Sequence, residues 1–307
     1  MAADRTISSL RAGDEVRGVY ACVRKDRLKT RTGSPYLALE LRDRTGSMQA
    51  RAFRDADLLG GRFERGDLVS VVGRVERFRD DLVVELSDAV RIEAGGTGEG
   101  GEAVAVESFL PVAYRDVDEL DGFLEHLATE VYDPGYRALL DALLADAPLR
   151  AAFRRAPCTR GGHHAYLGGL LEHTVAVATL ARELCDLHRR LNSDLLLTAA
   201  LVHDLGRTRE FTYGAEIGLT DEGRLLGHLT LGQQLLSERF VALDEALDSP
   251  RRLALLHCVL AHHGPAGVPG GRFASAEALA LYRLNALDAG VKGALEHGLG
   301  PGQGPGA

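Results

Sequence analysis

LLLTAALVHD, residues 195–204, is the stretch from which the rest of the chain is read: an apolar helical run that ends on an adjacent imidazole and carboxylate. His203 beside Asp204 at a helix end offers two donor types that suit a divalent metal, so the expected chemistry is hydrolytic. Spaced histidines lie on both sides of the pair. GGHHAYLGGLLEHTV (161–175), LVHDLGRTRE (201–210), EGRLLGHL (222–229) and LLHCVLAHHG (255–264) together carry 8 of the 11 histidines, a gathering unlike the scatter of packed core histidines. Taken singly, a residue such as His173 on an apolar helix is more often a hydrogen-bonded core residue, and the pair at 203–204 shifts that weighting. Neutral imidazoles with ionised carboxylates suit Mn, Fe, Co, Ni or Zn, and mixed nitrogen and oxygen donors in this number suit a two-metal site.

Working outward, Leu and Phe recur at three- and four-residue spacings on both sides of this run. The periodicity predicts helices over 116–131, 134–146, 148–155, 168–190, 193–204, 227–240, 250–262 and 275–294. Toward the N-terminus the period changes to two. EVRGVYACV, PYLALELRD, SMQARAF, DLVSVVGRVERF and DLVVELSDAVRI read as five strands within residues 15–92, separated by turn residues. DRTGSM (43–48) supplies a tight turn between the second and third strands, and DADLLGG (55–61) has room for a short helix between the third and fourth. That order resembles an OB-fold barrel. The expected class is therefore two-domain α+β: an N-terminal five-stranded OB-fold barrel (1–93), a Gly-rich linker (94–110), an all-helical domain (111–297) and a disordered Gly/Pro tail (298–307). Gly96, Gly98 and Gly101 satisfy GxGxxG, but no helix-forming sequence opens at the last glycine, so a dinucleotide site is not expected.

Composition sets outer bounds. With 307 residues and 45% hydrophobic content there is material for two cores. No secretory h-region follows Met1 and no apolar run reaches the roughly 18 residues of a membrane span, so a soluble, cytoplasmic protein without a membrane partner is expected. Cys22, Cys158, Cys185 and Cys258 form no CxxC pair and read as reduced, mostly buried thiols. The net charge of −8 hides an asymmetry: residues 1–93 balance at +2 and the remainder at −10. A polyanion would be gripped in the first third, and the acidic remainder would need cations to approach phosphate. Candidate strand-binding residues are Tyr20, Tyr36, Phe53 and Phe78 with Arg24, Lys25, Arg27, Lys29, Arg42, Arg51 and Arg77. The alternative is that these aromatics fill the barrel core.

HHAYLGGLLEHT, HDLGRTRE, TDEGRLLGH and AHHG, in that order, resemble the HD superfamily of metal-dependent phosphohydrolases. YLALELRDRTGSMQARAF followed by GDLVSVVGRVE resembles the anticodon-binding type of OB domain. Both together resemble the YhaM family of 3'-to-5' exoribonucleases, over about residues 14–93 and 155–292. The resemblance implies His173 as first metal ligand, His203 and Asp204 as the paired ligands with Asp204 bridging, and His228, His262 and His263 completing a second position. Two divalent ions are implied, with manganese foremost and Co, Fe, Ni, Zn or Mg as alternatives. Arg207, three residues after Asp204 on the same helical face, stands where the family usually has Lys, and is expected to hold the scissile phosphate. His163 and His164 would contact phosphate or anchor their loop. The relatives place an Asp three residues before the Asp-Ala pair of the final helix. This chain has Asn285 there and then Asp288, so either Asp288 supplies the last carboxylate, the favoured reading, or one metal is held more loosely, with Asn285 near the substrate.

The resemblance implies hydrolysis of single-stranded RNA, with DNA as a second substrate, to nucleoside 5'-monophosphates at Asp204 and Arg207, with Tyr36 and Phe53 among the strand contacts. Two other readings stay open. One is an HD hydrolase of free nucleotides or cyclic nucleotides, although GPAGVPGG after His263 lacks the GYP signature of cyclic dinucleotide phosphodiesterases. The other is a non-catalytic strand-binding protein with a degenerate HD domain.

Overall fold

The computed structural model describes residues 6–79, 81–92, 109–243 and 246–298. Two compact units separate, Met1–Pro111 with Thr212–Gly218, and Val112–Phe211 with Leu219–Ala307.

The first unit is the five-stranded barrel. β1 (Glu15–Lys29), β2 (Pro35–Asp43), β3 (Gly46–Ala52), β4 (Leu68–Phe78) and β5 (Asp81–Ile92) close in the order β1-β2-β3-β5-β4, with α1 (Ala56–Gly60) between β3 and β4. β3 pairs with β5 in parallel, and the other pairs are antiparallel. Alternation sends Leu37, Leu39 and Leu41 of β2, and Met48, Ala50 and Ala52 of β3, into the interior. Each fully buried Leu contributes about 1.5–3 kcal/mol. β1 runs six residues past the expected strand, carried across a register shift between Cys22 and Arg24.

Two expectations about the chain's division are corrected here. The helical domain is not continuous from 111 to 297, because β6 (Phe211–Tyr213) and β7 (Ile217–Leu219) form a hairpin whose turn belongs to the first unit. Ala215 of that turn is buried with Ala21, Leu68 and Phe109, and its carbonyl accepts a hydrogen bond from the Arg42 guanidinium at 2.7 Å. Phe109 and Leu110, assigned to the linker, are buried. Residues 94–108 of that linker and 299–307 of the tail lie outside the described residues.

The second unit holds α2 (Val117–Thr129), α3 (Pro134–Leu144), α4 (Ala147–Arg155), α5 (Gly169–Leu187), α6 (Ser193–Val202), α7 (Arg207–Glu210), α8 (Asp221–Ala242), α9 (Ser249–Ala261) and α10 (Ala276–His297). Side chains of Asp116, Asp133, Asp146, Asn192, Thr220, Asp248 and Ser275 accept first-turn N–H groups of the helices they precede. Loss of such a cap costs about 1 kcal/mol. α6 is buried along its whole length from Leu195 to Val202, as a helix apolar on every face must be. It packs against α5, α9 and α10, and these four helices carry most of the histidine-rich segments to one place. Among the described residues no helix is long and apolar enough to cross a membrane.

Candidate metal centre

His173 lies within α5, His203 caps the C-terminus of α6 and Asp204 follows it. His228 lies in α8, His262 caps α9 with His263 after it, and Asn285 and Asp288 lie in α10. The chain turns after Val202, so Asp204 and Arg207 do not share one helix; Arg207 opens α7. Two glycines shape this region. A Cβ on Gly206 would come within 2.0 Å of the His228 carbonyl, so the turn can press against α8 only without a side chain. Gly227, at φ +70°, kinks α8 one residue before His228.

The outer ring nitrogens fix the inner ones. His203 Nδ1 donates to the Ala200 carbonyl at 2.8 Å, His262 Nδ1 to the Val259 carbonyl at 2.6 Å, and His173 Nδ1 to Asp288 Oδ2 at 2.6 Å. In the neutral tautomer so set, each Nε2 carries a bare lone pair. Those lone pairs face other acceptors. His173 Nε2 stands 3.2 Å from His203 Nε2 and 3.0 Å from Asn285 Oδ1, and the Asn285 amide nitrogen donates to the His262 carbonyl at 3.3 Å, which fixes the oxygen toward His173. His228 Nε2 lies 2.9 Å from His263 Nε2.

Asp204 joins the two groups. Its Oδ1 is 3.4 Å from both His228 Nε2 and His262 Nε2. Its Oδ2 is 3.8 Å from His203 Nε2 and 3.9 Å from His173 Nε2. Asp204 Oδ1 and His262 Nε2 are buried with no hydrogen-bond partner, an arrangement costly in a dry interior unless a cation takes the lone pairs. Donor separations near 3 Å are what metal–nitrogen distances of about 2.0–2.1 Å impose across a coordination sphere. The residues present therefore fit divalent ions: His173, His203, Asp204 and Asn285 on one side, and Asp204, His228, His262 and His263 on the other.

Electrostatics agree. Burial opposes ionisation of Asp204, yet Arg207 and the surrounding imidazoles hold its carboxyl well below the usual range. Burial keeps His203 neutral far below its ordinary value. Burial, then the neighbouring histidines, brings His263 down to about 3 and His163 down to about 4. Asp288 is held low, against the effect of its burial, by hydrogen bonds from His164 and His173.

Several expected roles change. Asp288 sits behind His173, on the nitrogen that points away from the lone-pair cluster, so Asn285 takes the facing position that Asp288 was expected to fill. Arg207 is buried. Its Nε donates to Asp204 Oδ2 at 2.7 Å and its Nη1 to Glu210 Oε2 at 3.1 Å, so it steadies the shared carboxylate. His164 is 1% exposed, with one ring nitrogen 3.0 Å from Asp288 and the other 2.8 Å from the Tyr166 hydroxyl, which fits the loop-anchor alternative. His163 is half-buried beside Cys158.

In the barrel, Tyr36 stacks on the exposed Phe53 at 5.3 Å between ring centroids, and Arg51 lies over the exposed Phe78 ring at 4.1 Å. Tyr20 is a core residue, and Lys25 pairs with Glu64 at 3.0 Å. Sequence reading passed over Glu210, whose Oε1 is 3.5 Å from His228 Nδ1, and Cys158, whose Sγ is 3.7 Å from Asp204 Oδ2. Glu210 closes the HDLGRTRE segment and was in view; nothing in the sequence marked Cys158 off from the other cysteines.

The barrel matches the OB-fold nucleic acid binding domain family over residues 18–92, and the helical unit matches the HD domain family over residues 170–290. The class so defined is an OB-fold domain joined to an HD-type hydrolase domain with a cluster of histidines and aspartates that could hold metal. Across 260 residues the chain is 28% identical to "3'-5' exoribonuclease YhaM" of Bacillus subtilis (strain 168), covering 84% of this chain and 79% of that protein. The like-named protein of Bacillus pumilus (strain SAFR-032) is 28% identical over 272 residues, 86% of this chain and 82% of its own. The chain is thus similar, over most of its length and in both of its domains, to proteins named as YhaM exoribonucleases. Among solved structures, the second OB-fold domain of replication protein A from Methanococcus maripaludis aligns with 29% of this chain and 94% of its own, at 21% identity and a TM-score of 0.25.

Proposed function

We propose that this protein is a metal-dependent 3'-to-5' exoribonuclease that shortens single-stranded RNA, and single-stranded DNA as a second substrate, to nucleoside 5'-monophosphates. The observation that carries this reading is the pair of lone-pair clusters sharing Asp204, set in a chain that also holds an OB-fold domain. His173, His203, Asp204 and Asn285 would hold one divalent ion, and Asp204, His228, His262 and His263 a second, with manganese the favoured metal. Such ions supply a nucleophile from water at neutral pH and neutralise charge developing on the phosphate.

The protein's own part is positional. Arg207 holds Asp204 Oδ2, Glu210 faces the outer nitrogen of His228, and Asp288 fixes the His173 ring, so the donors are preorganised before any ligand arrives. On the barrel, Tyr36 of β2 and Phe53, which follows the end of β3, offer a stacking surface with Arg51 of β3 nearby in sequence, which would hold successive bases with little regard to sequence. A 5'-labelled RNA strand incubated with Mn, and in parallel with chelator, tests the reading. Stepwise shortening from the 3' end with nucleoside 5'-monophosphate products, abolished by chelator, is expected. Hydrolysis of free nucleotides alone would move the chain to the nucleotide phosphohydrolase reading, and binding without cleavage to the degenerate one.

A further inference from the structure

Cys158 is buried to 0% exposure and points at the metal centre from the loop between α4 and α5. Its Sγ lies 3.7 Å from Asp204 Oδ2 and 3.5 Å from His163 Nε2. Ligand atoms of Cys158, His163 and His173 all fall within 4.8 Å of one another. The loop is tied so that this grouping holds: Cys158 N donates to the His164 carbonyl at 3.0 Å and Thr159 Oγ1 to the His163 carbonyl at 2.8 Å. A metal bound at about 2.3 Å to sulfur and about 2.0–2.1 Å to nitrogen or oxygen sets sulfur about 3.5 Å from its neighbours, close to both measured separations. The adjoining position is short of charge. Asn285 brings no anion to the face it shares with His173 and His203, leaving Asp204 as the carboxylate there.

We infer that Cys158 and His163 extend the His173 side of the centre into a thiolate-containing position for a zinc-class cation, with the thiolate supplying the negative charge that Asn285 does not. The inference rests on the reading of this cluster as a metal centre. Binding forms one metal–sulfur bond from a sulfur lone pair and releases the thiol proton to solvent. Burial and Asp204 push the Cys158 thiol well above its ordinary value, and Arg207 pulls the other way; a coordinating cation removes the proton outright. Soft sulfur selects zinc-class ions over magnesium and manganese, so this side would differ in metal preference from the all-nitrogen-and-oxygen side.

Cobalt(II), a zinc-class ion with visible spectra, is the probe. The ion-free full-length protein titrated with cobalt(II) is expected to show ligand-field bands together with a near-ultraviolet thiolate-to-cobalt charge-transfer band. Cys158→Ser is expected to lose the charge-transfer band, keep ligand-field bands, and bind zinc about 10–100-fold more weakly while binding manganese unchanged. Ligand-field bands without charge transfer in the unaltered protein would overturn the thiolate position and leave the metal centre standing. Absence of both would overturn the metal centre itself. A charge-transfer band that persists in Cys158→Ser would belong to another cysteine and would also overturn the inference. Because the decisive spectrum is that of the unaltered protein, the test survives a variant that fails to fold.

Discussion

The two sides of Asp204 differ in how they are built. Toward Oδ2 stand His173 and His203, both at 0% exposure, with Asn285 at 6%, and each ring is pinned from behind by a carbonyl or by Asp288. Toward Oδ1 stands His262, pinned in the same way, but His228 is half-buried beyond a glycine kink and His263 is exposed. One side is part of the core and the other opens to solvent. Removing a donor should therefore have different consequences on each flank. Asp204 belongs to both, and Asp204→Ala should produce the largest effect: activity on labelled RNA down by about a thousandfold or more, and bound metal by mass spectrometry reduced on both flanks, with the far-ultraviolet dichroism retained. Near-normal turnover by this variant would remove the shared-carboxylate reading.

His203→Ala and His263→Ala set the flanks against each other. His203→Ala leaves a cavity within α6's packing and should lower both activity and the thermal midpoint, the latter through lost burial of about 2–5 kcal/mol. His263→Ala, at an exposed position, should lower activity by about tenfold to a hundredfold and leave the midpoint unchanged. Equal effects on stability would erase the distinction between a fixed and an open flank. On the barrel, Phe53→Ala should weaken single-strand binding by about tenfold, from a stacking contribution of about 1–3 kcal/mol per base, with hydrolysis of a dinucleotide unaffected. A filter-binding assay beside a dinucleotide assay separates the two.

Much of this was legible beforehand, for identifiable reasons. The barrel follows from alternation that a two-residue period makes unambiguous, and α6 from an apolar run too long for a strand and flanked by Asn192 and His203. The histidines could be grouped because their segments bracket predicted helices. The hairpin at 211–219 was not legible: FTY and IGL are three residues each, shorter than any window in which period two stands out from period 3.6. The choice between Asn285 and Asp288 was equally hidden. They lie three residues apart on one face of α10, and only coordinates show that one meets Nε2 of His173 and the other Nδ1. The surroundings of Arg207 were hidden for a related reason: its charge alone does not show that its guanidinium lies buried beside Asp204 and Glu210.

Asn285→Asp sharpens the comparison from the side of charge. A second carboxylate on the fixed flank should raise manganese affinity by about tenfold, the size of change that ligand-environment substitutions bring. Isothermal titration against His263→Ala measures it, since that background leaves the fixed flank to dominate. Unchanged affinity would mean that this flank does not hold manganese through the position of Asn285.

The smallest expected effect is on stability against pH in chelator. Burial, then the neighbouring histidines, pushes His163 down to about 4 and His263 down to about 3 in the folded protein, against about 6.5 in an unfolded chain. Below 6.5 the unfolded chain therefore binds protons that the folded one refuses, and stability, fully present above 6.5, is lost as pH falls toward those folded values. The depressed carboxyls of Asp204 and Asp288 contribute the same sign only at lower pH, through and below the ordinary carboxylate range. Between 6.5 and about 5, above the range where depressed carboxyls such as Glu210 begin to contribute, the slope is thus a histidine effect, worth a few degrees of thermal midpoint, by the size scaling of about 2–4 °C per kcal/mol. The flanks should share it unequally. His263 reaches solvent, which screens its repulsion from His262, whereas His163 is half-buried against Cys158 and His173. His163→Asn should accordingly flatten the slope more than His263→Asn, and the reverse ranking in calorimetric scans would place the tighter proton exclusion on the flank assigned here as open.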